Sequence, residues 1–162
     1  MGTQTQLHLD PHARLQARLH LRSSFPKLGG NFLITSPVTM DYNCIGWAAE
    51  DDSNWWWPTV DTYWPSAAPL ETTVQAFTIA FGTLGYEICP DGSLETGFQK
   101  VVLYTKQGVP THMARQLESG DWTSKLGPSY DIVHENVLSV EGSEYGDAVL
   151  FMKRITTAFD LR

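Results

Sequence analysis

A chain of 162 residues with 42% hydrophobic side chains is sized for one compact domain with its own core, which excludes a disordered protein. No apolar run approaches the ~18 residues of a spanning helix, so no membrane partner is expected. The net charge of −7 is unevenly placed: no Lys or Arg occurs from Leu28 to Gln99, against nine acidic residues from Asp41 to Glu95, which argues against nucleic acid as a partner of the main body.

Residues 1–28 read as an N-terminal arm. His12 to Arg22 carries good helix formers, Asp10-Pro11 supplies a helix start, and Leu15 and Leu19 lie four apart. Arg14, Arg18 and Arg22 recur every four positions as one basic stripe, which suits docking on the acidic body; a tag-like terminus is the alternative. The arm lacks the basic, apolar and small-residue succession of a secretory signal, so the expected location is cytoplasmic, or reached by a route without a recognisable signal peptide.

Residues 29–162 are expected to form a single domain. Gly29-Gly30 breaks the chain, and Asn31 to Ser36 leads toward Asn43, which can cap a helix from Cys44 to about Glu50. Trp55-Trp56-Trp57-Pro58 and Tyr63-Trp64-Pro65 predict an irregular aromatic loop. Leu70 to Leu84 predicts a helix with Val74, Phe77, Phe81 and Leu84 on one face, closed by Gly85. After a turn-rich connection from Tyr86 to Phe98, three strands follow as a meander over Lys100–Thr105, Pro110–Leu117 and Trp122–Leu126. Tyr145 to Ile155 fits either a strand or a helix. The expected class is α+β, with helices first and an antiparallel sheet after them.

Two cysteines are present. A cytosolic chain keeps both reduced, and a disulfide between Cys44 and Cys89 would require an oxidising compartment. Neither Cys stands in a close pair with another Cys or His, so no metal is expected. Cys44 follows a helix-capping residue, where free N–H groups and the dipole favour a thiolate. A thiol nucleophile also needs an imidazole, and His112 on a strand beside that helix fits the role. Ser124 on the following strand, or Asp131 beyond it, is placed to orient His112, and Asp131 has the stronger chemistry because a carboxylate stabilises imidazolium. His134 reads as an assistant to His112 or as a surface residue.

Here the chain resembles the papain-like thiol hydrolases, in particular the branch that includes the NlpC/P60 amidases. Cys44-Ile45-Gly46-Trp47-Ala48 is similar to that branch's Cys-Ser-Gly-apolar start, and Trp122-Thr123-Ser124-Lys125-Leu126-Gly127 has the rhythm of the strand that carries the orienting residue. The resemblance implies a papain-like fold, and attack on an amide bond by Cys44 with His112 as base and Ser124 as orienter. It also implies an oxyanion held by the Cys44 N–H with help from Asn43. No cofactor is needed. Ile45 departs from the small residue of the pattern, and no Gln precedes Cys44 at papain's spacing. The chain also resembles an uncharacterised bacterial family that shares Asn-Cys-Ile-Gly-Trp-Ala, Trp-Trp-Trp-Pro, Pro-Thr-His-x-Ala-Arg-Gln-Leu and Trp-Thr-Ser-Lys-Leu-Gly, over most of Tyr42 to His134.

Three adjacent tryptophans cannot all point inward, so Trp55, Trp56 and Trp57 are expected to supply a cleft wall for a peptide or other amide-bearing substrate. Arg115, Gln116 and Lys125 either bind a substrate carboxylate or amide or are ordinary strand residues. The alternative from another class is a non-catalytic module on the same scaffold, which binds another protein through the Trp-rich loop.

Overall fold

The computed structural model describes residues 5–156; the first four residues of the arm and the last six of the chain lie outside them. The described chain is α+β, built on a seven-stranded, wholly antiparallel sheet. In chain order the elements are α1 (Pro11–Ser24), β1 (Phe32–Ser36), α2 (Cys44–Ala48), α3 (Val74–Gly82), β2 (Glu87–Cys89), β3 (Phe98–Lys106), β4 (Val109–Gln116), β5 (Trp122–Lys125), β6 (Asp131–His134), a 3₁₀ turn (Val137–Val140) and β7 (Asp147–Ile155). Across the sheet the strands lie in the order β1-β6-β5-β4-β3-β7-β2. The expected meander is its centre.

The period of two along each strand divides the core between the two faces. Val102, Tyr104 and Ala114 point toward α1 and join Leu21, Phe25, Phe32 and Ile132. Val101, Leu103 and Met113 point the other way, toward α2, α3 and the aromatic loop, and join Cys44, Ile45, Phe77 and Phe81. Helix α3 begins at a Thr73 cap rather than at Leu70, and buries Phe77 and Phe81 as its periodicity predicts. Ile45, which breaks the small-residue pattern, is fully buried in the second core.

Helix α1 forms as expected, with the Asp10 side chain accepting from Ala13 N–H and Pro11 in the first turn. Its contact face is not the one that carries the leucine pair. Leu15 and Leu19 are exposed, whereas Ala17 and Leu21 are buried and the chain beyond them adds Phe25 and Leu28 to the core. Among the described residues, Arg14, Arg18 and Arg22 make no ion pair with an acidic side chain. Arg18 donates to the carbonyls of Phe32 (2.8 Å) and Gly30 (2.6 Å) and lies 4.0 Å from the Phe32 ring centroid. The arm docks because it buries apolar surface beside the edge strand β1, and that contribution is larger than an exposed charge pair supplies.

Strand β6 is absent from the expected elements because Asp131 and His134 give a four-residue segment polar ends. It forms with all four residues buried, paired to β5 on one side and β1 on the other. Tyr145 to Ile155 resolves as strand, starting at Asp147 and pairing with β3 along its length. The turn-rich connection holds the short edge strand β2.

Candidate active site

Asn43 and Gly46 shape the start of α2. The Asn43 carboxamide oxygen accepts from Gly46 N–H and from Trp56 N–H, both at 3.0 Å, while its Nδ2 donates to Trp56 O at 2.9 Å. One side chain thus caps the helix and ties the aromatic loop to it. A Cβ on Gly46 would stand 2.5 Å from Asn54 O and 3.1 Å from Asp51 O, so only glycine lets that loop pass.

Cys44, the first residue of α2, is directed at β4. Its Sγ lies 3.9 Å from Thr111 O, and the Met113 N–H is near enough to favour the thiolate, so the thiol rests against the two residues that flank His112. It has room there because β4 and β5 part. Their pairing is confined to Arg115↔Thr123 and Gln116↔Trp122, although β4 starts at Val109 and β5 runs to Lys125. The sulfur occupies backbone positions on β4 that a continued β5 would have paired.

On the other face of this parting, His112 Nε2 is 3.0 Å from Ser124 Oγ, and Ser124 Oγ is 2.8 Å from His134 Nε2. His134 Nδ1 is 2.8 Å from the carbonyl of Asn136. The His112 ring is stacked on Tyr145, with centroids 4.0 Å apart and planes at 6°. All three members of the chain are buried, and His112 is fully so. Its other nitrogen, Nδ1, is buried without a hydrogen-bond partner among the described residues. Cys44 Sγ and His112 are therefore close along the strand but not hydrogen-bonded. The thiol enters from the α2 side and the imidazole stands on the α1 side.

Burial sets the charge states. It pushes the Cys44 thiol up to about 11, against smaller opposing effects of backbone N–H groups and Lys125. Burial, then the neighbouring His134, holds His112 well below the ordinary histidine range. Burial likewise lowers His134 to about 4. At neutral pH the site rests as thiol and neutral imidazoles, not as the ion pair a helix start was expected to favour. Five residues make too short a helix to offset the desolvation.

Of the two proposed orienters, Ser124 meets His112 and Asp131 does not. Asp131 sits on the opposite face, where its Oδ2 accepts from Tyr42 OH at 2.6 Å, and its Oδ1 is buried without a partner among the described residues. Burial raises its carboxyl, with the Tyr42 hydroxyl acting against that shift. Asn43, named for the oxyanion, gives one of the two N–H groups of its amide to Trp56 O.

The aromatic loop also divides its roles. Trp56 is buried core, tilted against Phe81 and Tyr63, with its Nε1 on Asp51 at 2.8 Å. Trp57 is half-buried edge-on against Phe77. Trp55 is half-buried and donates to Met40 O. Arg115, Gln116 and Lys125, weighed as substrate ligands, are all buried and committed to protein carbonyls: Trp47 for Arg115, Gly92 for Gln116, and Thr39, Gly127 and Ser129 for Lys125. Both cysteines are free thiols. A groove of about 420 Å³ runs past Arg18, Phe32, Asp121, His134 and Glu135, beside the far end of the hydrogen-bonded chain.

Of the two readings of His134 from the sequence, an assistant to His112 or a surface residue, its burial excludes the second. The available signal was its place ten residues after Ser124, across one hairpin, which pairs neighbouring strands and brings alternate residues to one face.

Among the described residues no group of His, Cys, Asp and Glu could hold a metal, and no helix is long and apolar enough to cross a membrane. The family model described as a domain of unknown function, DUF7689, matches residues 33–153, well over half of the chain, and the chain belongs to that family. Helix α1 lies outside the matched span. No curated protein and no solved structure matches the chain.

Proposed function

We propose that this DUF7689 member is a thiol-dependent hydrolase or transferase acting on an amide bond, on a papain-like scaffold, with Cys44 as nucleophile, His112 as base and Ser124 as orienter. The observation that carries the reading is the unpartnered Nδ1 of His112, a buried ring nitrogen left free on the strand against which the Cys44 thiol rests, while the opposite nitrogen is held by Ser124. A histidine kept only for packing would satisfy both nitrogens.

The resting neutral pair defines the chemistry. His112 Nδ1 takes the thiol proton as Sγ attacks the carbonyl carbon, and the Cys44 N–H is the nearest donor for the oxyanion. The C–N bond breaks as His112 returns its proton to the leaving amine. A thioester remains, which water cleaves in a hydrolase and an acceptor amine cleaves in a transferase. Because sulfur and ring approach from opposite faces, the proton passes through the parting between β4 and β5. Substrate entry requires movement as well, since Cys44 is 6% exposed and His112 0%.

The test is turnover of peptide, glutamine and muropeptide amides by the full chain, with mass spectrometry of Cys44 for the acyl adduct. Cys44→Ala and His112→Ala are expected to abolish both signals while leaving the circular dichroism spectrum intact. Turnover that survives Cys44→Ala overturns the reading.

The closed site favours a second reading, a binding module without turnover. Its contact surface would be the aromatic loop, where Tyr63 and Val60 are exposed beside half-buried Trp55 and Trp57. It predicts slow and similar alkylation of Cys44 and Cys89 under every condition, including in the presence of amide substrates.

A further inference from the structure

We infer that His134 is a positioning residue, and that it decides which nitrogen of His112 carries the proton. This rests on His112 being the base, and it adds a member that the Cys-His-Ser set does not contain.

The hydrogens available along the chain fix the direction of each bond. The carbonyl of Asn136 can only accept, so the 2.8 Å contact to His134 Nδ1 requires a proton on that nitrogen. His134 is neutral at pH 7, because burial holds it at about 4, so its Nε2 is bare and must accept. The group facing that Nε2 is the Ser124 hydroxyl, 2.8 Å away, which gives it its single proton. Ser124 Oγ then has only lone pairs for His112, 3.0 Å away, so His112 Nε2 must be the donor. A neutral imidazole with its proton on Nε2 has a bare Nδ1. That is the nitrogen without a partner.

A carbonyl on the 136 backbone thus sets the polarity of the whole chain, from Asn136 through His134 and Ser124 to His112. Without His134, the Ser124 hydroxyl is free to turn and donate to His112 Nε2, which moves the proton to Nδ1 and blocks the base. His134 touches neither Cys44 nor a substrate bound there, so its effect is on tautomer and ring orientation.

The experiment is nitrogen NMR on the full chain with ¹⁵N-labelled histidine at pH 7, with His112 and His134 assigned by His112→Gln and His134→Gln. The expected result is a protonated Nε2 and an unprotonated Nδ1 for His112, and the reverse for His134. His134→Ala is expected to cost intensity in the unprotonated Nδ1 resonance of His112 and to lower kcat on the order of 10²-fold with KM little changed. His134→Gln, whose side-chain oxygen can accept from Ser124, is expected to recover much of both. Should His134→Ala fail to fold, Ser124→Ala cuts the chain at its middle and is expected to give the same loss of the His112 pattern.

A proton on His112 Nδ1 in the wild-type chain overturns the inference, as does a His112 pattern unchanged in His134→Ala. If the tautomers are as expected but no amide is turned over, the hydrolase reading falls and the tautomer lock stands. If amides are turned over with the proton on Nδ1, the lock alone falls.

Discussion

Two histidines buried without charge make the residue scale sensitive to acid. Both have folded-state values below the ordinary histidine range, His134 at about 4 and His112 also well below it. Between the ordinary value of ~6.5 and those lower values, the unfolded chain binds protons that the folded chain refuses, so stability falls as pH drops through that window. Each group contributes up to about 1.4 kcal/mol per pH unit there. Asp131, raised by burial, acts in the opposite sense, and its stabilisation is present at low pH and lost as pH rises through its folded value. Because histidines titrate first on acidification, the urea midpoint is expected to fall from pH 7 to pH 5. A midpoint that is flat over this range in wild type, and falls in His134→Gln, contradicts the burial of neutral rings.

The same residues show what was legible beforehand. The proposed set of Cys44, His112 and Ser124 can be named from the sequence because the resemblance to the papain-like hydrolases supplies the order of nucleophile, base and orienter. Their charge states cannot, since desolvation depends on how much protein surrounds a group. Asp131 looks the stronger orienter on paper, yet strand parity turns it to the other face, and parity is known only once the β5–β6 register is fixed.

At the scale of elements, α2 is held by loops more than by its own five residues. Gly46 is the tightest point, pressed by the carbonyls of Asn54 and Asp51. Gly46→Ala is expected to cost about 2 kcal/mol or more, because backbone rather than a flexible side chain must give way. Release of the Asn43 cap from Gly46 and Trp56 would follow, and with it faster alkylation of Cys44. The measurement is a denaturation curve paired with thiol labelling, and an unchanged midpoint would show that the loop has room. Helix α3 and the β3–β5 meander were readable because periodicity and turn residues agree there. Strand β6 was not, because its buried Asp131 and His134 look like loop residues to any rule based on polarity.

For the whole molecule, the division into an arm and a body does not describe the packing. Leu21, Phe25 and Leu28 fill the same core as Ile132 and Tyr104. Large side chains of this kind cost about 2–5 kcal/mol each when removed, and a domain has only ~5–15 kcal/mol in total. Residues 29–162 alone are therefore expected to lose a sharp urea transition and to bind a hydrophobic dye. A cooperative transition for that fragment, with a midpoint near that of the full chain, would show that α1 adds little. The basic stripe of α1 suggested electrostatic docking, whereas the contact is apolar. Side chains as long as Arg18 can lie across a helix and reach backbone carbonyls, so charge spacing says little about the direction of contact.

The parting of β4 from β5 has one consequence that can be followed by exchange of amide protons with solvent deuterium. The Met113 N–H stands in this parting near the Cys44 sulfur, with no β5 residue paired to it. Its protection should therefore report on Cys44 more directly than on the sheet. Acylation or alkylation of the thiol is expected to speed exchange at Met113 while Val102 and Ala114, paired with each other between β3 and β4, keep their slow rates. The backbone of β4 would then act as a built-in gauge of the occupancy of the thiol.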